Sequence, residues 1–358
     1  MIVRKCTLLS SIFPRASLAF ACALCAGTSA AAQTTPCATP KVAGGVVDLK
    51  QVPGTSLMTV PVEINGAPKQ FLLDISNNPD QVAQTTVADL HLPRFDLNTP
   101  SDAFADQRTI YAMSAGVIDV KSARAESGLT NQDLVRVGSL SIAGATVSNL
   151  QLPVANDRDM GHSEPYDGVF TGNLFAQYDI NFDFGGKKFN FLDPTSCTDP
   201  NQVAYWPHAV VAVVPMTLSD GKITVPVTIG GHVINAILDM GSDHTVVRRA
   251  VAEDTLGLGD KDMAPDGDHE DGMGMRIYVH TFPQISFGGV IAQNVPVRVQ
   301  TNSMVHPIHS TPVLGSRATF AASPTPRIPD LALGMDVLHQ LHIYAAYSEK
   351  KLYVTPAE

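Results

Sequence analysis

Two aspartates stand at the ends of matching apolar runs. Phe71-Leu72-Leu73 leads into Asp74, and Ala236-Ile237-Leu238 leads into Asp239, 165 positions later. A carboxylate that follows three apolar residues is costly to bury unless it is paired or hydrogen-bonded. Taken singly, each reads as a turn or capping aspartate. Taken as a pair they read differently. If two equivalent halves pack about a pseudo-two-fold axis, equivalent positions near that axis meet. Two carboxylates within hydrogen-bonding distance share a proton and titrate as a coupled pair. The ionised member can take a proton from a water while the protonated member hydrogen-bonds a substrate carbonyl. That chemistry hydrolyses a peptide bond with no metal, no cofactor and no covalent intermediate.

The elements that must deliver these residues are legible because the chain repeats. Val60 to Asp74 (VPVEINGAPKQFLLD) aligns without a gap on Val225 to Asp239 (VPVTIGGHVINAILD), with seven identities in 15 positions. Ile142 to Leu152 matches Phe287 to Val297 in apolar pattern, keeping Gly144/Gly289 and Asn149/Asn294. Thr171 to Phe191 lies over Gly334 to Val354. Three matches in one order make an internal duplication. Within each copy the apolar alternation and the Asn65-Gly66 and Gly230-Gly231 turns predict a hairpin whose second strand ends on the aspartate. Further hairpin turns are predicted at Gly185-Gly186 and Ser348-Glu349, and short helices near Thr86 to Leu90 and Arg248 to Leu256. The lobes run from Val42 to Pro194 and from residue 209 to 356, joined by a polar linker over 195–208.

Composition narrows the class. Of 358 residues, 44% are hydrophobic and 16% charged, with a net charge of −10, which excludes a disordered chain and a general nucleic-acid binder. Residues 1–32 read as a signal peptide: Arg4, Lys5 and Arg15, an apolar stretch over Ala16 to Ala26, then Ala30-Ala31-Ala32 as the cleavage region. A lipid-modified cysteine at Cys22 or Cys25 is the weaker reading of the same segment. Export would leave 326 residues with a charge of −13, secreted or periplasmic, without a membrane span. Of five cysteines, Cys37 and Cys197 would remain, and in an oxidising compartment they form a candidate disulfide.

These residues together resemble the aspartic peptidases, specifically the bacterial retropepsin-like and pepsin-like group. The carriers are Asp239-Met240-Gly241-Ser242 with Ala332-Leu333-Gly334 in the second copy, and Asp74-Ile75-Ser76-Asn77 with Val169-Phe170-Thr171 in the first. The resemblance implies a mainly β, bilobal pepsin-like fold built from two homologous retropepsin-like barrel lobes. It implies an aspartic endopeptidase with Asp74 and Asp239 as the dyad, supported by Ser76, Asn77, Gly241 and Ser242, acting on peptide or protein substrates as a monomer. A hairpin flap over the cleft would come from Arg108 to Val120, with Tyr111 at its tip. The departures are specific. Family members carry a hydroxyl after each Asp that grips the other lobe, where this chain has Ile75 and Met240. Both lobe 1 glycines are replaced, by Ser76 and Thr171. Ser242, and less conventionally Asn77, retain groups able to hydrogen-bond a carboxylate. A non-catalytic bilobal protein that binds a peptide or glycan in the cleft is the alternative.

Other patterns carry less. The acidic run Asp260 to Asp271 lacks the spacing of a calcium loop and reads as a solvated loop. The pairs His306/His309 and His339/His342 have ligand-like spacing without a motif around them, and no metal is expected. Ser303 to Asp330, rich in Pro, Ser and Thr, reads as a long surface loop near the cleft or the lobe junction.

Overall fold

Asn65 and Gly66 have φ of 51° and 82°, and Gly230 and Gly231 have φ of 56° and 83°. Consecutive left-handed residues suit the tight hairpin turn whose twist matches that of its strands. Each half of the chain grows around this hairpin. The computed structural model describes residues 40–76, 80–96, 133–155, 166–175, 177–194, 197, 199–219, 222–270, 275–300 and 329–357. The first half comprises β1 (Val42–Asp48), β2 (Lys50–Gln51), β3 (Met58–Ile64), β4 (Ala67–Leu73), β5 (Gln81–Val82), α1 (Gln84–Asp89), β6 (Arg94–Asp96), β7 (Asp133–Ile142), β8 (Ala145–Pro153), β9 (Gly168–Phe170), β10 (Asp179–Asp183) and β11 (Lys188–Leu192). After a short helix α2 (Pro200–Val203) come β12 (Ala212–Pro215), β13 (Thr217–Ser219), β14 (Lys222–Ile229), β15 (His232–Leu238), β16 (Val246–Arg248) and α3 (Arg249–Asp254). The chain ends with β17 (Ala264–Glu270), β18 (Arg276–Phe287), β19 (Val290–Gln300), β20 (Leu331–Leu333), α4 (Met335–Leu338), β21 (Leu341–Ala346) and β22 (Lys351–Pro356).

The two halves repeat one topology. In the first, β4 pairs β3 antiparallel and β9 in parallel, and β3 also pairs β7. In the second, β15 pairs β14 antiparallel and β20 in parallel, and β14 also pairs β18. The β14–β18 pairing curls the eight-stranded sheet of the second half into a barrel-like lobe, and in the first half a parallel bridge between Val82 and Val154 does the same. A six-stranded sheet, in the order β1-β11-β10-β21-β22-β12, joins the lobes. Its order is the same read from either edge, so the pseudo-two-fold axis passes between β10 and β21, which pair antiparallel through Asn181 opposite Tyr344. The fold is thus mainly β and bilobal, as the resemblance implies.

The burial patterns explain why these segments hold the site. β14 alternates between buried and accessible positions, while the last three residues of β4 and of β15 are all buried, as are all of β9 and β20. The parallel pairs therefore lie inside the lobes, and only their ends can face a cleft. The lobe 1 core is aromatic: Phe170, Phe175, Phe182, Phe189 and Phe191 are buried, with ring centroids 4.9 to 6.4 Å apart. Gly168 makes room for it, since a Cβ there would lie 2.5 Å from the Phe71 ring.

Two segments differ from the sequence expectation. Ala264–Glu270, expected as a loop, is the exposed edge strand β17, paired with β18 through Ala264 and Val279. The linker does more than connect. Asp199 caps α2 by accepting from the Asn201 N–H, and Cys197 and Val203 are buried with Leu192, Tyr344 and Tyr353 against the shared sheet. Trp206 stacks on His342 at 3.8 Å with the rings 9° from parallel, and its indole N–H donates to Thr355. A polar composition hid this packing, because one Trp and one Val carry it.

Candidate active site

Asp74 and Asp239 sit one residue beyond β4 and β15. The Asp74 N–H donates to Phe170 O at 2.9 Å, and the Asp239 N–H donates to Leu333 O at 2.8 Å. Each bond continues the parallel ladder by one step, so the position of each carboxylate is set by the strand that lies beside its own. Asp74 is buried, and Asp239 keeps part of its surface accessible.

One hydroxyl joins them. Ser76 Oγ lies 2.6 Å from Asp74 Oδ1 and 2.9 Å from Asp239 Oδ1, and the Ser76 N–H donates to Asp74 Oδ1 at 3.0 Å. The dyad expected across the pseudo-two-fold axis is therefore brought together around a single oxygen atom. Burial first, and then the neighbouring Asp74 charge, push the Asp239 carboxyl up to about 7. A pair that shares one proton behaves in this way.

The residue equivalent to Ser76 is Gly241, and the two positions do different things. A Cβ on Gly241 would lie 2.4 Å from Asp74 Oδ2 and 2.5 Å from its Cγ. Lobe 2 therefore needs glycine, so that the lobe 1 carboxylate can approach its backbone. Lobe 1 has a side chain at the same position and uses it to reach Asp239.

Behind the aspartates the duplication persists in altered chemistry. The Gly334 N–H donates to Thr245 Oγ1 at 3.1 Å, and Thr245 is held in turn by Asp336, which accepts from its N–H and its hydroxyl. In lobe 1 the Thr171 N–H donates to Asp80 Oδ1 at 2.8 Å. Asp80 stands where lobe 2 has Thr245, and burial pushes its carboxyl up to about 6. A Cβ on Gly334 would lie 2.3 Å from the His244 carbonyl carbon, so the close approach of strand and loop is strict in lobe 2, whereas lobe 1 accepts Thr171 at the same place. A further contact crosses between lobes: the Ser56 N–H donates to Asp243 Oδ1 at 2.6 Å.

The remaining candidates fall as follows. Ile75 and Met240 are buried in the core, so no hydroxyl grip forms from those positions. Ser242 does not serve a carboxylate in the way expected. Its hydroxyl donates to His244 O at 2.9 Å and accepts the His244 N–H, closing the local turn. Asn77, Tyr111 with the segment Arg108 to Val120, Cys37, the leader over 1–32, the His306/His309 pair and most of the loop from Ser303 lie outside the described residues. His339 Nδ1–H donates to Met335 O, and His342 Nε2 meets Asn181 Oδ1 at 2.9 Å, so these two histidines serve separate contacts. No cluster of metal-binding side chains occurs among the described residues. Sequence reasoning missed Asp80, Asp336, Asp243 and Ser56. The signal that could have found Asp80 is its alignment with Thr245 in the duplication.

Residues 225–337 match the family model described as Aspartyl protease. The matched stretch begins in β14 and ends in α4, inside lobe 2, and takes in Asp239, Gly241 and Gly334. Among solved structures, the chain is similar to the basic 7S globulin from soybean at 12% identity, covering 88% of this chain and 95% of that one, with a TM-score of 0.42. It is also similar to a retropepsin-like aspartic protease from Rickettsia conorii at 13% identity, covering 42% and 94%, with a TM-score of 0.27. No curated protein matches.

Proposed function

We propose that this chain is an exported bilobal aspartic endopeptidase in which Asp74 and Asp239 activate a water for attack on a peptide carbonyl. The observation that carries the reading is the contact of both carboxylates, from equivalent strand ends of two lobes, with one hydroxyl. The aspartyl protease match over 225–337 supports it independently. In the reaction the ionised carboxylate takes a proton from water and the resulting hydroxide adds to the carbonyl carbon. The protonated carboxyl gives its proton to the carbonyl oxygen, and collapse of the tetrahedral adduct moves a proton to the departing amine. With Asp239 pushed up to about 7, the proton held on the dyad is lost as pH rises through about 7. Activity should therefore be greatest under acidic conditions. The test is cleavage of a peptide library from pH 3 to 8 by the wild type, Asp74→Asn and Asp239→Asn. Each variant should lose activity by about 100-fold or more while keeping its circular dichroism. Undiminished proteolysis by Asp239→Asn would overturn the proposal.

Export belongs to the same reading. It rests on residues 1–32 and on the cysteine pair, Cys37 and Cys197, with Cys197 buried within the linker. The exported chain would begin at Gln33, act as a monomer and carry the Cys37–Cys197 disulfide. Mass spectrometry of alkylated protein from the periplasm or medium checks both features. A retained leader, or two alkylated thiols, would overturn them.

One observation favours the alternative. The place that bridges the two carboxylates is taken by the Ser76 hydroxyl, and Ile75 and Met240 leave no reciprocal grip. A non-catalytic cleft would bind peptides or glycans with no cleavage at any pH, and calorimetry beside the library assay separates the two.

A further inference from the structure

Three oxygens meet at the centre of the site, and the number of protons among them is limited. Ser76 Oγ carries one hydrogen and can donate it once, yet it lies within hydrogen-bonding distance of two carboxylate oxygens. If both carboxylates were ionised, one contact would set a lone pair against a negative charge. The cluster is satisfied when one carboxyl is protonated and donates to Ser76 while Ser76 donates to the other. The distances say which way the chain of bonds runs. A hydroxyl bonded to an ionised carboxylate is short, about 2.5–2.7 Å, and a neutral pair is longer. Ser76 is 2.6 Å from Asp74 and 2.9 Å from Asp239. The Ser76 N–H adds a second donor to the same Asp74 oxygen.

We infer that Ser76 is a positioning residue that assigns the single proton of the pair: its hydroxyl donates to Asp74, which is the base, and accepts from Asp239, which carries the proton and is the acid. The role in turnover rests on the peptidase reading, whereas the partition of the proton stands on the geometry alone. The charged groups felt by Asp239 are Asp74 from lobe 1 and Lys222 on β14, and the Gly241 N–H is its backbone donor. Burial and Asp74 raise the Asp239 carboxyl to about 7, against the lowering effect of the Gly241 N–H, of Lys222 and of the Ser76 hydroxyl where it donates to Asp239. A hydroxyl donated to Asp239 would hold that carboxyl down, whereas a hydroxyl accepting from it holds it up. The two orientations therefore predict opposite responses to removal of the side chain.

The experiment is a carbon-13 NMR titration of the aspartate carboxyls in the whole protein, with Asp74 and Asp239 assigned from their Asn variants. In the wild type the Asp74 signal should titrate first and Asp239 near neutrality. In Ser76→Ala, Asp74 should titrate about one to two pH units higher, having lost a donor to its charged form, and Asp239 lower, so that the interval narrows from both sides. Ser76→Thr should restore the wild-type interval. Ser76→Gly, which installs the residue lobe 2 has at this position, provides a second variant if the alanine protein misfolds. A role in folding alone would move melting temperature and leave the titrations in place. The inference is overturned if Asp239 ionises before Asp74, if the Ser76→Ala titrations match the wild type, or if Asp239 titrates higher without the hydroxyl. Because the titration needs no substrate, a protein that partitions its proton as stated yet cleaves nothing refutes the peptidase reading alone. A cleaving enzyme with an unmoved titration refutes only the role of Ser76. In a cleaving enzyme the pH–rate profile of Ser76→Ala should narrow on both limbs.

Discussion

The two lobes solve one problem with different residues. Each must bring a buried strand, a carboxylate and a returning loop together at the axis. Lobe 2 does so by removing side chains: Gly241 leaves room for Asp74, and Gly334 leaves room for the backbone at His244. Lobe 1 keeps side chains at both places and employs them. Ser76 reaches both aspartates, and Thr171 lies over the buried acid Asp80. The family match stays within lobe 2, where the glycines are retained. Lobe 1 thus has polar contacts where lobe 2 has glycine.

The comparison can be broken by exchanging residues across the axis. The largest effect is expected from Gly241→Ala, whose methyl would displace the Asp74 carboxylate. An error near 1 Å in a reacting group costs about 100-fold in rate, measured as kcat/KM on a cleaved peptide. Ser76→Gly at the equivalent position should fold without such a clash. Next is Gly334→Ala, which should lower stability by about 2–3 kcal/mol through overpacking against His244, in chemical denaturation. The reverse exchange in lobe 1, Thr171→Gly, should cost about 1 kcal/mol. Equal costs for the two would show that the lobes do not differ in tolerance here.

A third exchange concerns pH. Asp80 is raised to about 6 and Asp239 to about 7, chiefly by burial, so the folded state holds protons that the unfolded state gives up. Their stabilising contribution is fully present below about 4 and is lost as pH rises through about 6 and about 7. His342 opposes them. Burial lowers it to about 4, against the pull of Asp183, and its contribution is present above about 6.5 and lost as pH falls through about 4. Lobe 2 has a hydroxyl, Thr245, where lobe 1 has Asp80, so this part of the pH response belongs to lobe 1 alone. Asp80→Asn should flatten the melting temperature between pH 4 and 6 and raise stability at pH 7 by about 2 kcal/mol. The smallest effect is expected for Asp243→Ala, which removes the bond to Ser56 between lobes and should cost about 1 kcal/mol.

What the sequence disclosed was what depends on local pattern. The hairpins at Asn65-Gly66 and Gly230-Gly231 follow from turn chemistry, and the aspartates follow from apolar runs that end in a charge. Repetition then placed the two ends at one axis. Ser76 was visible as a substitution, but its reach to Asp239 depends on the pairing of β10 with β21, which no local pattern encodes. Asp80 and Asp336 are polar residues whose partners lie about ninety positions away. The stacking of Trp206 on His342 joins a linker to a strand in the same manner. Long-range contacts made by single side chains leave no periodic trace.

The shared sheet has a consequence for chain assembly. β10 and β21 are equivalent strands that meet antiparallel at the centre, so each is an edge until the other lobe arrives. A lobe made first on the ribosome exposes β10 as an unpaired edge backed by Phe182, Phe189 and Phe191. Such an edge seeks any antiparallel partner of similar sequence, and a second copy of lobe 1 offers one. Tethering the true partner on the same chain raises its effective concentration above that of free neighbours. The linker is thus a device against self-pairing, and nicking or lengthening it should favour swapped and aggregated species over the native bilobal molecule.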